Sequence, residues 1–130
     1  MKDLLFVGLG GMSGSVLRYT LSKFLTPTLI PFPFGTLIIN IIGCFVAGII
    51  FKLTTNNMDE ELTNNLTTLL IIGFCGGFTT FSAFSVESII LLKQGKILIM
   101  LSYIFLSSLL GITFCIIGMM FIKKFFKIYK

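Results

Sequence analysis

The part of this 130-residue chain that could do chemistry is residues 73–82, GFCGGFTTFS, where glycines and hydroxyls interrupt an apolar stretch. Gly76 and Gly77 can end a first half-helix. Thr79 or Thr80 can then cap a second half-helix through its side-chain oxygen. Such a break leaves carbonyl and N–H groups unpaired, which favours an ion-binding site, although a simple glycine kink with back-bonded threonines is the alternative.

A row of aromatic rings and a row of hydroxyls follow this segment. Phe81 and Phe84 are three residues apart and share a helix face, with Ser82 and Ser85 on the adjacent face. Phenylalanine ring edges carry partial positive charge, so ring edges and hydroxyl donors, including that of Thr80, can together replace the water around an anion. The same spacing also fits ordinary packing against lipid or a protein core.

Three further polar residues lie within apolar stretches, where a polar side chain is a functional candidate by default. Asn40 can donate its amide to an anion or bond a neighbouring helix. Arg18 can reach the headgroups or give a vestibule positive potential. Glu87 lies three residues after Phe84, on the same face, and can pair with a cation, tune an ion pathway or reach the interface.

The elements that must position these residues are transmembrane helices. The chain is 55% hydrophobic and 12% charged, with a mean hydropathy of +1.04, which is outside the range of soluble globular proteins. Apolar stretches at about residues 4–25, 34–53, 66–92 and 97–122 are each long enough to cross a hydrocarbon core of roughly 30 Å. Breaks at 26–33, 54–65 and 93–96 separate them. We therefore predict one all-α domain, residues 1–130, with four membrane-spanning helices and the third broken near its middle.

Small residues four apart predict close helix packing in every span, since they let backbones approach one another. The pairs are Gly10 and Gly14, Gly43 and Ala47, Gly73 and Gly77, and Ser107 and Gly111. Four closely packed helices leave no lumen of their own. An ion pathway would then form between subunits, most simply in a dimer.

Charge and residue types exclude several classes of protein. The chain has no histidine, and its three cysteines lie in separate spans without metal-ligand spacing, so we do not expect an enzyme. The net charge of +5 comes largely from a C-terminal lysine cluster, which fits anionic lipid headgroups better than nucleic acid. The positive-inside rule favours a cytoplasmic C-terminus, but this charge bias comes largely from the same cluster and is weak enough to leave dual insertion open. A cleaved signal peptide is the competing interpretation of the first span, but its apolar run is long for one.

Four segments together resemble one family, the Fluc (CrcB) fluoride channels of microbial membranes. The segments are residues 10–18 (GGMSGSVLR), residues 35–43 (GTLIINIIG), residues 73–82, and the pair Phe84 and Glu87. They occur in order through the first three spans, and the resemblance covers nearly the whole chain.

The resemblance implies an antiparallel, dual-topology dimer in the cell membrane, with two fluoride pores along the subunit interface and passive fluoride export as its function. It also implies a structural sodium ion at the dimer centre, held by backbone carbonyls that map to Gly76 and Thr79. The family's paired phenylalanines map to Phe81 and Phe84, its pore asparagine to Asn40, and its polar track partly to Ser82. Arg18 and Glu87 then lie near the pore ends.

One position departs from the family pattern, because Ala83 stands where members commonly carry threonine. Ser85 could supply the missing hydroxyl, or a homologous partner chain could supply it in a heterodimer. A small multidrug exporter and a structural subunit are the alternatives from other classes. The exporter normally needs a carboxylate inside its first helix, and here that helix carries Arg18 instead.

Overall fold

The computed structural model describes residues 1–25, 31–55 and 59–128, with side chains described up to residue 122. Parts of the predicted breaks at 26–33 and 54–65, and Lys130, lie outside the described residues. The described part is helical, without strands. Its elements are α1 (Lys2–Leu25), α2 (Phe34–Thr54), α3 (Glu60–Leu66), a π-helix (Thr67–Cys75) that we call the π segment, α4 (Gly76–Phe78), α5 (Phe81–Lys93) and α6 (Ile97–Ile128).

Four stretches of helix are long and apolar enough to cross a membrane, as the sequence predicts. They are Lys2–Leu25, Phe34–Thr54, Glu60–Lys93 and Ile97–Ile122. The third comprises α3, the π segment, α4 and α5 in succession. These helices cross in alternating directions, so the start of α1 and the end of α6 lie at one end of the bundle.

The polar stretch 54–65, predicted as a break, is helical from Glu60 onward. The Asp59 side chain accepts a hydrogen bond from the amide of Leu62 at 3.3 Å and so caps α3. Glu60 and Glu61 in the first turn also complement the helix dipole. Local capping chemistry therefore extends the third span beyond the apolar residues that reveal it in the sequence.

The connection between α5 and α6 is the tight turn expected at residues 93–96. Gly95 has a φ of +72°, which a residue with a side chain rarely adopts. The amide of Lys96 donates to the carbonyl of Leu91 at 3.0 Å, the bond that closes a Schellman-type helix end. This turn sends α6 back across the membrane.

Glycines of α1 lie directly against the π segment and α4. A Cβ added at Gly10 would overlap the carbonyl oxygen of Leu69, and one at Gly14 would overlap that of Phe74. From the other side, a Cβ at Gly77 would overlap the carbonyl oxygen of Gly11. The predicted glycine contact faces of the first and third spans therefore meet each other, backbone against backbone.

The second contact face joins α2 and α6, which run parallel. A Cβ at Gly48 would overlap the Cys115 carbonyl, and one at Gly118 would overlap the Phe45 carbonyl. Nearer the middle of the bundle, a Cβ on Gly111 would lie 3.4 Å from the sulfur of Cys44. This pairing brings the centre of α6 to the same depth as Asn40 and the helix break.

Candidate functional site

The helical backbone of the third span is interrupted at two residues. Thr79 has φ −80° and ψ 157°, and Thr80 has φ −146° and ψ 114°, so both are extended. Gly76 and Gly77, expected to end the first half-helix, instead remain in α4, which ends at Phe78. Gly77 lies against α1, and this packing fits its helical conformation.

Each threonine makes hydrogen bonds to one of the two helix ends that flank the interruption. The amide and the hydroxyl of Thr79 both donate to the Cys75 carbonyl at 2.8 Å, which closes the last turn before the break. The hydroxyl of Thr80 accepts from the Ala83 amide at 3.2 Å and caps α5. This is the capping role that the sequence predicts for Thr79 or Thr80, and it falls to Thr80.

Asn40 joins α2 to the break through two hydrogen bonds. Its Oδ1 accepts from the Thr80 amide at 2.9 Å, and its Nδ2 donates to the Thr80 carbonyl at 3.3 Å. The Asn40 side chain thus pairs with the extended Thr80 backbone through one accepted and one donated hydrogen bond, as a neighbouring β-strand would. Of the two roles open from the sequence, bonding to another element is the one that the structure displays.

These bonds change the partners of two carbonyl groups. In a continuous helix, the Thr80 amide would donate to the Gly76 carbonyl and the Ala83 amide to the Thr79 carbonyl, four residues back. The Thr80 amide donates to Asn40 instead, and the Ala83 amide donates to the Thr80 hydroxyl. The carbonyls of Gly76 and Thr79 therefore lose their helical partners at the middle of the span.

The carbonyl of Gly77, by contrast, is occupied by two side chains of α1. Arg18 donates to it through Nε at 3.2 Å, and the Ser15 hydroxyl lies at 3.4 Å. The Arg18 side chain therefore bonds to the last turn before the break and helps to fix α1 against it. The guanidinium also places positive charge at the carbonyl end of α4, where the helix dipole is negative.

A pocket of about 270 Å³ opens beside the break. Its lining combines amide, hydroxyl, thiol and ring groups of α2, the break, α5 and α6: Asn40, Cys44, Thr79, Thr80, Phe81, Phe84, Ser107 and Ser108. The ring centroids of Phe81 and Phe84 are 5.5 Å apart. Phe81 is 79% exposed. The pocket is therefore a cleft on the side of the bundle, with a ring at its rim.

Comparison with known proteins identifies the family. The family model described as "CrcB-like protein, Camphor Resistance (CrcB)" matches residues 5–119. The chain belongs to the CrcB family. A Phocaeicola vulgatus protein named "Fluoride-specific ion channel FluC" is 45% identical over 91% of this chain and 96% of its own. Proteins of the same name from Bacteroides fragilis (41%, covering 91% and 94%) and Flavobacterium psychrophilum (40%, covering 95% and 99%) are also similar.

Two predictions from the sequence agree with these relatives. Their names denote ion channels and not enzymes, in accord with the prediction that this chain is not an enzyme. Together with the four apolar helices, membership of the CrcB family makes the chain a multi-pass protein of the cell membrane.

Glu87 of this CrcB chain is held by two hydroxyl donors. Thr36 donates to its Oε1 and Tyr103 to its Oε2, both at 2.7 Å. The Tyr103 side chain is fully buried, and its ring lies 5.1 Å from that of Phe84. The carboxylate is thus fixed one helical turn beyond Phe84, at the middle of α5.

The hydroxyls predicted around the Phe pair lie in different surroundings. Ser82 is exposed and does not line the pocket, but its oxygen is 3.1 Å from that of Thr80, which does. Ser85 donates back to the Phe81 carbonyl at 2.9 Å and lines a separate depression nearer Lys93. The structure therefore groups Ser82 with the break and places Ser85 apart from it.

The pocket also contains residues that sequence reasoning missed as site candidates. Ser107, interpreted from its spacing as a packing residue, has a buried hydroxyl oxygen with no hydrogen-bond partner among the described residues. Ser108 and Cys44 line the same pocket. The adjacent serines at the middle of an apolar helix were the available signal, although spacing alone could not show which face of α6 meets the break.

Protein side chains offer no metal cluster in the part of the chain that the structure describes. No group of three or more His, Cys, Asp or Glu side chains among the described residues is arranged so that it could hold a metal ion. The cysteines are free thiols, with Cys75 buried.

Proposed function

We propose that this chain is a fluoride channel that exports fluoride passively from the cytoplasm. The observation that carries the proposal is the pocket beside the helix break, where two Phe rings, an amide and several hydroxyls line one cleft. Relatives that are 40–45% identical over 91–95% of this chain bear the name of fluoride-specific channels.

The chemistry of the cleft suits fluoride. Fluoride is small and strongly hydrated, so a narrow pathway must replace its water with fixed donors. The hydroxyls of Thr80, Ser82 and Ser107 and the amide of Asn40 can supply such donors, and ring edges of Phe81 and Phe84 add partial positive charge. Selection against chloride then follows from the width of the pathway.

A second copy of the chain would complete this pathway. Phe81 and Ser82 are exposed at the level of the break, and Gly76 is exposed beside them. Hydroxyl and backbone groups at this depth are costly against lipid, so a protein surface is the better neighbour. We propose an antiparallel, dual-topology homodimer with two pores along its interface, in keeping with the weak charge bias of the loops.

A structural sodium ion belongs to the same proposal. The carbonyls of Gly76 and Thr79 lack their helical partners, and neutral carbonyl oxygen suits a hard monovalent cation. Gly76, but not Thr79, also lies at the carbonyl end of the first half-helix, where the helix dipole is negative and where the Arg18 guanidinium bonds to the Gly77 carbonyl. The donor set therefore fits sodium, and the ion, when bound, would add positive potential beside the anion pathway.

Anion efflux from liposomes that contain only this chain tests the proposal. We expect rapid fluoride release with chloride retained, measured with ion-selective electrodes. Phe81→Ile should abolish fluoride release, because it removes a ring edge from the cleft. Phe24→Ile changes a ring of similar exposure, 81%, at the end of α1 and serves as the matched control. Retained flux in the Phe81 variant would remove this cleft from the pathway.

The same assay decides between a homodimer and an obligate heterodimer. The Ala83 amide supports the cap of α5 through Thr80, but its side chain brings no hydroxyl to the α5 face. If a homologous partner must supply that group, liposomes with this chain alone will release neither anion. Release of fluoride by this chain alone would establish the homodimer.

A further inference from the structure

We infer that Asn40 and Thr80 are positioning residues for the sodium site, because they withhold the two amides that would otherwise occupy the Gly76 and Thr79 carbonyls. The inference rests on the proposed function, which supplies the sodium ion. It assigns to Asn40 a role that is separate from donation to fluoride.

A backbone amide that donates to a ligand carbonyl weakens cation binding by that carbonyl. A backbone N–H that donates to a carbonyl places its positive hydrogen about 2 Å from the oxygen, where it repels a cation. Diverting that N–H both frees a lone pair and removes the repulsion. At the break, Asn40 Oδ1 takes the Thr80 amide and the Thr80 hydroxyl takes the Ala83 amide.

Close packing of α2 against the break brings Asn40 within reach of Thr80. Gly43, one turn along α2, is buried, and a Cβ there would overlap Cγ2 of Thr79 and lie 3.1 Å from the Phe78 ring. This close approach lets the short Asn40 side chain span the gap to Thr80. The second bond, from Nδ2 to the Thr80 carbonyl, keeps the amide plane aligned with the extended residue.

Two substitutions of Asn40 distinguish the positioning role from anion binding. Asn40→Asp keeps an oxygen that can accept the Thr80 amide, although it loses the donor to the Thr80 carbonyl, and its negative charge repels an anion. Asn40→Leu has a similar volume but accepts no hydrogen bond. A positioning residue therefore predicts that Asp preserves sodium binding and Leu abolishes it, while a purely anion-binding residue predicts that neither substitution changes sodium binding.

The experiment measures the thermal midpoint of purified dimer in detergent, with sodium chloride exchanged for choline chloride at constant ionic strength. Sodium should raise the midpoint of the unsubstituted protein in a saturable manner. Asn40→Leu and Thr80→Val should lose this rise or need at least tenfold more sodium. Asn40→Asp and Thr80→Ser should keep it. Thr20→Val, which removes an exposed hydroxyl that bonds only within α1, is the control.

Three results carry the decision. A normal sodium response in both Asn40→Leu and Thr80→Val would overturn the inference while leaving sodium binding intact. Absence of any sodium response in the unsubstituted protein would overturn the sodium site itself. If Asn40→Leu does not fold, the comparison of Thr80→Val with Thr80→Ser decides the question. Valine keeps the branched shape of threonine without the hydroxyl, whereas serine keeps the hydroxyl that can accept the Ala83 amide.

Discussion

Substituting Gly76 with alanine separates a surface that faces lipid from one that faces a second subunit. Within one chain there is room for the change, since the nearest neighbour of an added Cβ would be the Ile71 carbonyl oxygen at 3.8 Å. The backbone is helical there, with φ −62° and ψ −37°. Nothing in the fold of the single chain therefore opposes an alanine.

The magnitude follows from these two observations. Alanine is favoured over glycine in a helix by about 1 kcal/mol, and no overlap offsets this gain within the subunit. If a second copy packs on this face, however, each subunit adds a methyl group to a close contact, and overpacking costs about 1–3 kcal/mol. We therefore expect a well-folded subunit, a weakened dimer and a loss of fluoride flux of at least tenfold.

The assay combines dimer mass in detergent with fluoride efflux from liposomes. Gly8→Ala is the matched control, because Gly8 is also exposed in a helix and an added Cβ would meet nothing within 4 Å. The control should retain its dimer and its flux. Gly76→Ala with a normal dimer, normal flux and raised stability would refute the argument, since Gly76 would then face lipid.

Three further substitutions test the packing and the pocket. Gly14→Ala should lower the stability by about 1–3 kcal/mol, because its Cβ would overlap the Phe74 carbonyl oxygen; an unchanged thermal midpoint would contradict that contact. Tyr103→Phe should cost about 1.5–3 kcal/mol, since it removes a buried donor to the Glu87 carboxylate; chemical denaturation measures this, and a cost near zero would mean that water replaces the hydroxyl. Ser107→Ala should leave the thermal midpoint unchanged yet lower fluoride efflux, because its hydroxyl is buried beside the pocket without a partner among the described residues; unchanged efflux would exclude it from the pathway.

The spans were predictable because each rests on a long apolar run, a signal that tertiary contacts do not alter. The ends of the helices were less predictable. α3 begins at Glu60 within a polar stretch because Asp59 caps it, and α6 continues in helical form to Ile128, beyond its predicted end at residue 122. A side-chain cap such as that of Asp59 extends a helix without leaving a hydrophobic pattern.

The position of the interruption was predictable only to within a few residues. Glycine suggests a helix end by its conformational freedom, but Gly76 and Gly77 keep helical dihedral angles. Glycine here serves close packing for Gly77 and leaves an open surface at Gly76. Because glycine can end a helix, allow close packing or leave an open surface, its presence alone could not show which of these roles applies.

The site residues could be identified from their residue types, but their hydrogen-bond partners could not. Asn40 was identifiable as a polar residue in an apolar helix, whereas its pairing with Thr80 joins positions 40 residues apart. The hydroxyls around Glu87 come from α2 and α6, which no local pattern connects to α5. Contacts of this kind depend on how the helices pack, which spacing within one helix does not specify.

If the carbonyls of Gly76 and Thr79 hold a cation as proposed, this has a consequence for how the site changes during evolution. A main-chain oxygen is present whatever amino acid a codon specifies, so selection cannot remove or restore these ligands by exchanging their side chains. It can act only on positions that shape the backbone or take up its amides. The imprint of selection for cation binding would then fall on residues 40 and 80, and two lineages could differ at the ligand positions while keeping the same ligands.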